Sequence, residues 1–332
     1  MNEIAAPTTR MRFVVAMMFV VVIGLTTIAL LVPMPRGGRM LPAIGDMVHA
    51  PLFSALTLFA FACVHQIYPA KSFRIWVIRS LIIAALFVVV GVGSEYMQGY
   101  FGRSKSLHDA VADSMGISAS LGLLVIWGLR KWRLISRTSA SLFLGVSMLP
   151  FAVAWWGPTA TLADAYAMPR EFPMLSSFER PAELERWHFA KCRGKRVRSN
   201  VTSGNYALEV AYQVHEHPTA TMYEMVRDWS QMDSLRIDAT LAPSFQGEFA
   251  ELAVQIIDAR HGSVFRDVHR QIFQLQPGKT LPIEIKCDQM QGPTGRKIDL
   301  SSVVYLDLQL VRPDSPTIVR FDSIRLVPQA TD

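Results

Sequence analysis

The feature that most constrains this chain is a short polar stretch, residues 95–116, set between apolar runs long enough to cross a bilayer. It opens with Glu95 and Gln98, turns through Gly99 and Gly102, and continues through Arg103, Ser106, Asp109, Asp113 and Gly116. This order puts the polar residues on two helix ends that meet at one membrane face. Ionisable groups at such a place are expensive, and they usually come with a partner or a function.

Apolar runs at residues 11–32, 48–68, 73–98 and 107–127, and a shorter one at 141–156, predict an α-helical integral membrane domain of about five transmembrane helices. A cleavable signal peptide would have a shorter apolar region and a small-x-small site after it, whereas the first run ends in Pro33-Met34-Pro35-Arg36. Only 18% of the 332 residues are charged, and the net charge of +6 lies mostly beside the apolar runs. That placement reads as a topology signal, and nucleic acid is not an expected partner, since no nucleic-acid-binding motif accompanies the charge. Arg10 and Arg12, Lys71 and Arg74, and the basic segment 130–137 share one side if the runs alternate. The positive-inside rule makes that side cytoplasmic, which puts the N-terminus inside and everything after Trp156 outside. The expected location is the bacterial inner (cytoplasmic) membrane, with membrane lipids as partners.

After Gly157-Pro158 the period changes. Segments 206–210, 235–241, 252–257, 281–286, 303–311 and 318–326 alternate apolar and polar residues between turn-rich breaks. The one good helical stretch is 180–187. This pattern predicts an all-β jelly-roll sandwich. The expected division is a membrane domain at 1–157, a linker at 158–169 and an extracytoplasmic sandwich at 170–332. The run from Asp228-Trp229 to Ile237, and the closing Arg320-Phe321-Asp322-Ser323-Ile324-Arg325-Leu326, resemble those of carbohydrate-binding jelly rolls with a galactose-binding-like fold. That fold serves sugar-binding, protein-binding and purely structural modules alike. Trp229 and Asp322 are the candidate functional residues there, and Trp229 is more often a core residue of such a fold than a sugar platform.

Cys192 and Cys287 both fall in the second half, where export would permit a disulfide, but sequence cannot show that their strands are neighbours. Cys63 reads as a packing residue in the second apolar run. No cysteine–histidine spacing suggests a zinc site, no glycine-rich loop cradles phosphate, and there is no Gly-x-Ser-x-Gly elbow. Neither a metal nor a cofactor is expected.

Glu95 and Gln98 share one helix face, and Asp109, Asp113 and Gly116 form a stripe on the next helix, where Gly116 admits a close backbone neighbour. His49 opens the second run at the same level. Simpler readings exist: Ser106 with Asp109 resembles a capping box, and Arg103 suits a headgroup-level loop. Glu95 and Asp113 lie more than a turn inside their helix ends and fit those readings less well. The pattern Glu95, Gln98, Arg103, Ser106, Asp109, Asp113 and Gly116, with His49, Phe53 and Leu56 before it, resembles the signature of the VanZ-like membrane proteins. The family commonly has Asn where this chain has Asp113, and often a Lys just before the His. The resemblance assigns no reaction; the leading expectation is an envelope membrane protein engaging a lipid-linked or surface glycan through His49, Glu95, Gln98, Arg103, Ser106, Asp109 and Asp113 and through the exported sandwich. An enzyme would use Glu95 or Asp113 as general base and Arg103 to hold an anionic group. A scaffold would use the same residues only to lock helices and leave the sandwich to bind protein or glycan partners.

Overall fold

The computed structural model describes residues 9–31, 38–100, 107–260 and 267–330. The chain divides into two compact units, Met1–Leu162 and Ala163–Asp332. The first is helical: α1 (Thr9–Leu31), α2 (Met40–Ile67), α3 (Phe73–Tyr100), α4 (Leu107–Lys131) and the greater part of α5 (Arg137–Glu171).

Helices α2 to α5 are long and apolar enough to cross a membrane. In α1 the apolar stretch found among the described residues is Arg12–Thr26. Among the described residues the expected five spans are therefore four. On α3 the side chains of Ile78, Ile82, Leu86 and Val89 are exposed along one side, an apolar surface that fits lipid better than water. Helix α5 exceeds the expected run at both ends. Residues 158–169, read as a linker from Gly157-Pro158, continue it as helix, because the alanine-rich sequence beyond the proline favours that conformation.

Apolar tails give helices in lipid little hydrophobic reason to associate, so close packing and interhelical hydrogen bonds carry the contact. Phe53, Leu56 and Phe61 of α2 pack with Trp76, Ile83 and Phe87 of α3 and Ile117 and Leu124 of α4. The Trp76 indole donates to the Leu124 carbonyl at 2.7 Å, and the Ser54 and Ser120 hydroxyls meet at 2.7 Å. At Gly116 a Cβ would stand 1.9 Å from the Ala50 carbonyl oxygen, so only glycine lets α4 lie this close to α2.

The second unit is an antiparallel sandwich. Its strands are β1 (Met174–Ser176), β2 (Trp187–Ala190), β3 (Cys192–Val197), β4 (Ala207–Tyr212), β5 (Thr219–Met222), β6 (Met232–Leu241), β7 (Ala250–Asp258), β8 (His269–Leu275), β9 (Thr280–Lys286), β10 (Val303–Leu310) and β11 (Thr317–Pro328). One sheet runs β3-β4-β11-β6-β9 with β1 also paired to β11, and the other runs β2-β5-β10-β7-β8. All six segments expected from alternation are strands. The helical stretch expected at 180–187 is a 3-10 turn, Pro181–Arg186, leading into β2. Strands β2, β3 and β8 are edges, and β3 carries Arg193, Lys195 and Arg196, charges that protect an edge and hide the alternation. Leu235, Ile237 and Phe321 of one sheet and Leu252, Val254, Leu306 and Leu308 of the other share a single core. Within this unit Asp164, at the end of α5, is fully buried and takes a two-pronged grip from Arg186 at 2.9 and 2.7 Å.

The Cys192–Cys287 bridge considered from sequence is absent: both thiols are free and buried. Cys192 begins β3 and Cys287 follows β9, the two edges of one sheet, so four strand spacings of about 4.8 Å already put them at least about 19 Å apart. A disulfide requires Cα atoms within about 7 Å. Burial pushes the Cys192 thiol up to about 12 and the Cys287 thiol up to about 11. Both thiols should therefore resist alkylation at pH 8 in the folded protein and react fully once it is denatured without reductant. A mobility shift on non-reducing gels, or thiols still blocked after denaturation, would contradict this arrangement.

Candidate functional site

Two places in the molecule gather polar side chains beyond what packing requires. The first lies in the helical unit. His49 of α2, Glu95 and Gln98 of α3, and Asp109 and Asp113 of α4 are all buried. Each element supplies its residues by simple periodicity. Glu95 and Gln98, three apart, bond to each other, the Gln98 amide donating to Glu95 Oε1 at 3.2 Å. Asp109, Asp113 and Gly116 fall on one stripe of α4, and the close passage of Gly116 beside Ala50 draws that stripe up to His49, the next residue of α2.

The result is a short bond, His49 Nδ1 to Asp113 Oδ1 at 2.9 Å. The other ring nitrogen lies 3.9 Å from Asp109 Oδ2, an ion-pair rather than a hydrogen-bond distance. One donor atom from each of His49, Glu95 and Asp113 lies within 4.8 Å of the other two. Among the described residues, Asp113 Oδ2 and Gln98 Oε1 are buried with no hydrogen-bond partner. Native interiors leave few such atoms. Arg103 and Ser106 lie outside the described residues, so their places in the cluster are not part of the geometry above.

The second place, on the outer face of the β2-β5-β10-β7-β8 sheet, was not foreseen from sequence. Side chains of alternate residues face opposite ways along a strand. Leu306 and Leu308, like Val254 and Ile256, point into the core, so Asp307 and Gln255 point out. The strand register then lines up one residue from each strand: His188, Thr221, Asp307, Gln255 and Arg270. In the neighbouring row, Gln309 accepts from the Gln255 amide at 2.6 Å and stands 2.8 Å from His217 Nδ1. Tyr305 is two residues before Asp307 on the same face. The outermost members, His188 and Arg270, are exposed, while the central ones are half-buried.

Asp307 sits at the middle of the row. Thr221 hydrogen-bonds its carboxylate, yet Oδ1 is buried with no partner among the described residues. Burial raises the Asp307 carboxyl above the usual carboxylate range, more than the Thr221 bond lowers it. An unpaired acceptor oxygen in a row that also carries amide, hydroxyl and guanidinium groups is chemically suited to a ligand rich in hydroxyls.

The two residues singled out in the sandwich serve the fold instead. Trp229 is fully buried in the core, with its indole donating to the Val226 carbonyl at 2.8 Å, so it offers no platform to a ligand. Asp322 is also buried; its Oδ2 accepts from the backbone amides of Thr202 and Ser203 at 2.6 and 2.9 Å and pins that loop to β11. The signal that could have pointed to Asp307 is its outward parity in an otherwise apolar strand, but five-strand register is not legible in one sequence.

Among solved structures, the chain is similar to an exo-β-agarase, at 18% identity over 48% of this chain and 25% of that one, with a TM-score of 0.41. It is similar to a family 11 carbohydrate-binding module from Clostridium thermocellum, in complex with a β-1,3-1,4-mixed-linked tetrasaccharide, at 17% identity over 48% and 96% of the two chains, TM-score 0.39. A family 30 carbohydrate-binding module is similar at 13% identity over 43% and 80%, TM-score 0.33. The matched part of this chain spans about a quarter of the agarase's length. No family model and no curated protein matches the chain.

Two outcomes follow from the geometry. For Asp307 the sign is set by its raised carboxyl: stability is greatest in acid and falls as pH rises from the ordinary carboxylate value through the folded one. Asp307→Asn, which mimics the protonated form, should raise the melting temperature at pH 7 by about 2–4 °C, the shift that about 1 kcal/mol gives in a protein of this size. An unchanged or lowered melting point refutes the buried-charge account. In the helices, His49→Ala strands the Asp113 carboxylate and should cost about 3–5 kcal/mol, read as lower abundance and melting temperature in detergent. Asp113→Asn keeps an acceptor oxygen for His49 and should accumulate normally; equal losses in both variants would argue against the bond.

Proposed function

We propose that this is a multi-pass protein of the bacterial cell envelope whose sandwich binds a glycan through the outer face of the β2-β5-β10-β7-β8 sheet. The observation that carries the reading is the unpartnered Asp307 Oδ1 at the centre of a five-strand row of hydrogen-bonding side chains. Sugar hydroxyls both donate and accept, so Asp307, Gln255, Thr221 and Arg270 can each bond to one polymer lying across the strands. The VanZ-like pattern of the helical unit agrees with an envelope location, and a lipid-linked glycan would bring its headgroup within reach of the cluster around His49, Glu95 and Asp113.

Placement of the sandwich outside the cytoplasm rests on α2 to α5 alone. Lys71 lies between α2 and α3 and Arg74 in the first turn of α3, and Arg130, Lys131, Arg133 and Arg137 lie at the turn between α4 and α5. If both basic turns are cytoplasmic, α5 leads outward, whatever α1 does. The same arrangement sets His49, Glu95, Gln98, Asp109 and Asp113 at the outer ends of their helices.

A second reading has an observation of its own. The His49–Asp113 bond joins α2 to α4 where Gly116 and Ala50 already touch, so the cluster would serve as an interhelical lock. Glu95→Gln discriminates, since it keeps shape and removes charge. A site loses ligand at normal abundance and melting temperature, and a lock loses stability with everything else.

Affinity electrophoresis of the full-length protein in mild detergent tests the glycan reading. An envelope polysaccharide should retard the wild type, and Asp307→Ala or Gln255→Ala should weaken retention about ten-fold, equivalent to about 1.4 kcal/mol. Failure of every envelope polysaccharide to retard the wild type makes the sandwich a spacer. For topology, a reporter active only outside the cytoplasm should work when fused after Pro328 and be silent within 130–137, and the reverse pattern inverts the orientation.

A further inference from the structure

From the helical cluster we infer a binding site for one divalent cation of the Mn2+ to Zn2+ class, held by His49, Glu95 and Asp113. The inference concerns the helical unit and does not depend on the sandwich binding a glycan. Sequence spacing pointed to no metal, because the three donors come from three helices and only packing unites them.

The donor atoms are arranged as ligands of one ion would be. All three lie within 4.8 Å of one another, and ions that bond at about 2.0–2.6 Å place opposed ligands at about 4.0–5.2 Å. His49 Nδ1 and Asp113 Oδ1 are 2.9 Å apart, close to the roughly 3 Å expected of adjacent ligands at right angles with bonds of about 2.1 Å. Neighbouring groups then fall into supporting roles. The Gln98 amide fixes the Glu95 carboxylate, and the second ring nitrogen of His49 faces Asp109, which orients a ligating imidazole in the way carboxylates commonly do. On binding, the imidazole changes tautomer: Nδ1 gives up its proton to become a ligand, and Nε2 carries one toward Asp109.

A second, independent observation points to a missing ligand. Asp113 is almost wholly buried, and its Oδ2 has no hydrogen-bond partner among the described residues, nor has Gln98 Oε1. Both are acceptors, so only a donor or a cation satisfies them. Asp113 Oδ2 lies against the face of α3 that carries Glu95: a Cβ on Gly91, one turn before Glu95, would stand 3.2 Å from it. Two carboxylates and one imidazole, without thiolate, suit Mn2+ or Zn2+ rather than a thiophilic ion, and the imidazole disfavours Ca2+.

The test uses full-length protein purified in mild detergent, stripped with chelator, exposed to Mn2+ or Zn2+ and desalted before elemental analysis. About one ion per chain should remain, and the ion should raise the melting temperature, as any ligand of the folded state does. The paired variant His215→Ala with His217→Ala removes two exposed histidines of the sandwich and should leave the ion in place. Glu95→Gln and Asp113→Asn should each weaken retention at least about ten-fold. Should those variants fail to accumulate, X-ray absorption on the loaded wild type should find a shell of oxygens with one imidazole nitrogen. Retention no higher than in the stripped protein overturns the site. So does an ion lost in the His215/His217 variant, one kept undiminished in Glu95→Gln and Asp113→Asn, or a shell without imidazole.

Discussion

The helical unit depends on one contact, the approach of Gly116 on α4 to the Ala50 carbonyl on α2, which a single methyl group would block. In lipid, helices gain little from hiding apolar surface from one another, so such close backbone passages fix which residues face each other. Here the passage sets Asp113 one turn from the contact and His49 beside it. The 2.9 Å bond between them is a consequence of that fit. Serine and tryptophan bonds farther along, Ser54 to Ser120 and Trp76 to the Leu124 carbonyl, hold the same helices in the same relation.

The sandwich is governed by a different economy. Its core is a continuous apolar layer between two sheets, and water supplies the driving force. Most polar groups that enter that interior are answered, although Trp187 Nε1, His269 Nε2 and Ser302 Oγ are buried without a hydrogen-bond partner among the described residues. Arg186 is matched by Asp164 and the Leu175 carbonyl, and Glu183 accepts from the amides of Ser177, Phe178 and Arg180. The buried, unpaired oxygen of Asp307 has counterparts among the helices in those of Asp113 and Gln98. What sets those three apart from Trp187, His269 and Ser302 is that each belongs to a cluster of further polar side chains.

Strengthening either polar centre for stability would work against the binding proposed for it. At Asp307 the buried carboxyl is a cost carried by the folded state, and an amide in its place would relieve it while exchanging one of the two acceptor oxygens for a donor. Around His49, an apolar replacement of the whole group would pack as well or better, since buried ion pairs are seldom the most stable solution.

The sequence alone determined the local elements. Long apolar runs made α2 to α5 helices, since a buried or lipid-facing backbone must satisfy its own hydrogen bonds. Alternation identified six of the strands, and i, i+3, i+4 spacing put Glu95 with Gln98 and Asp109 with Asp113. The tertiary structure decided what meets what. It turned the 158–169 linker into helix, separated Cys192 from Cys287 by the width of a sheet, buried Trp229 and Asp322, and aligned His188, Thr221, Asp307, Gln255 and Arg270 across five strands. The reason is physical: a period of 3.6 or 2 fixes the face of a residue within its own element, whereas register between elements is set by contacts such as Gly116 against Ala50. A slip of one residue there would present a different set of side chains.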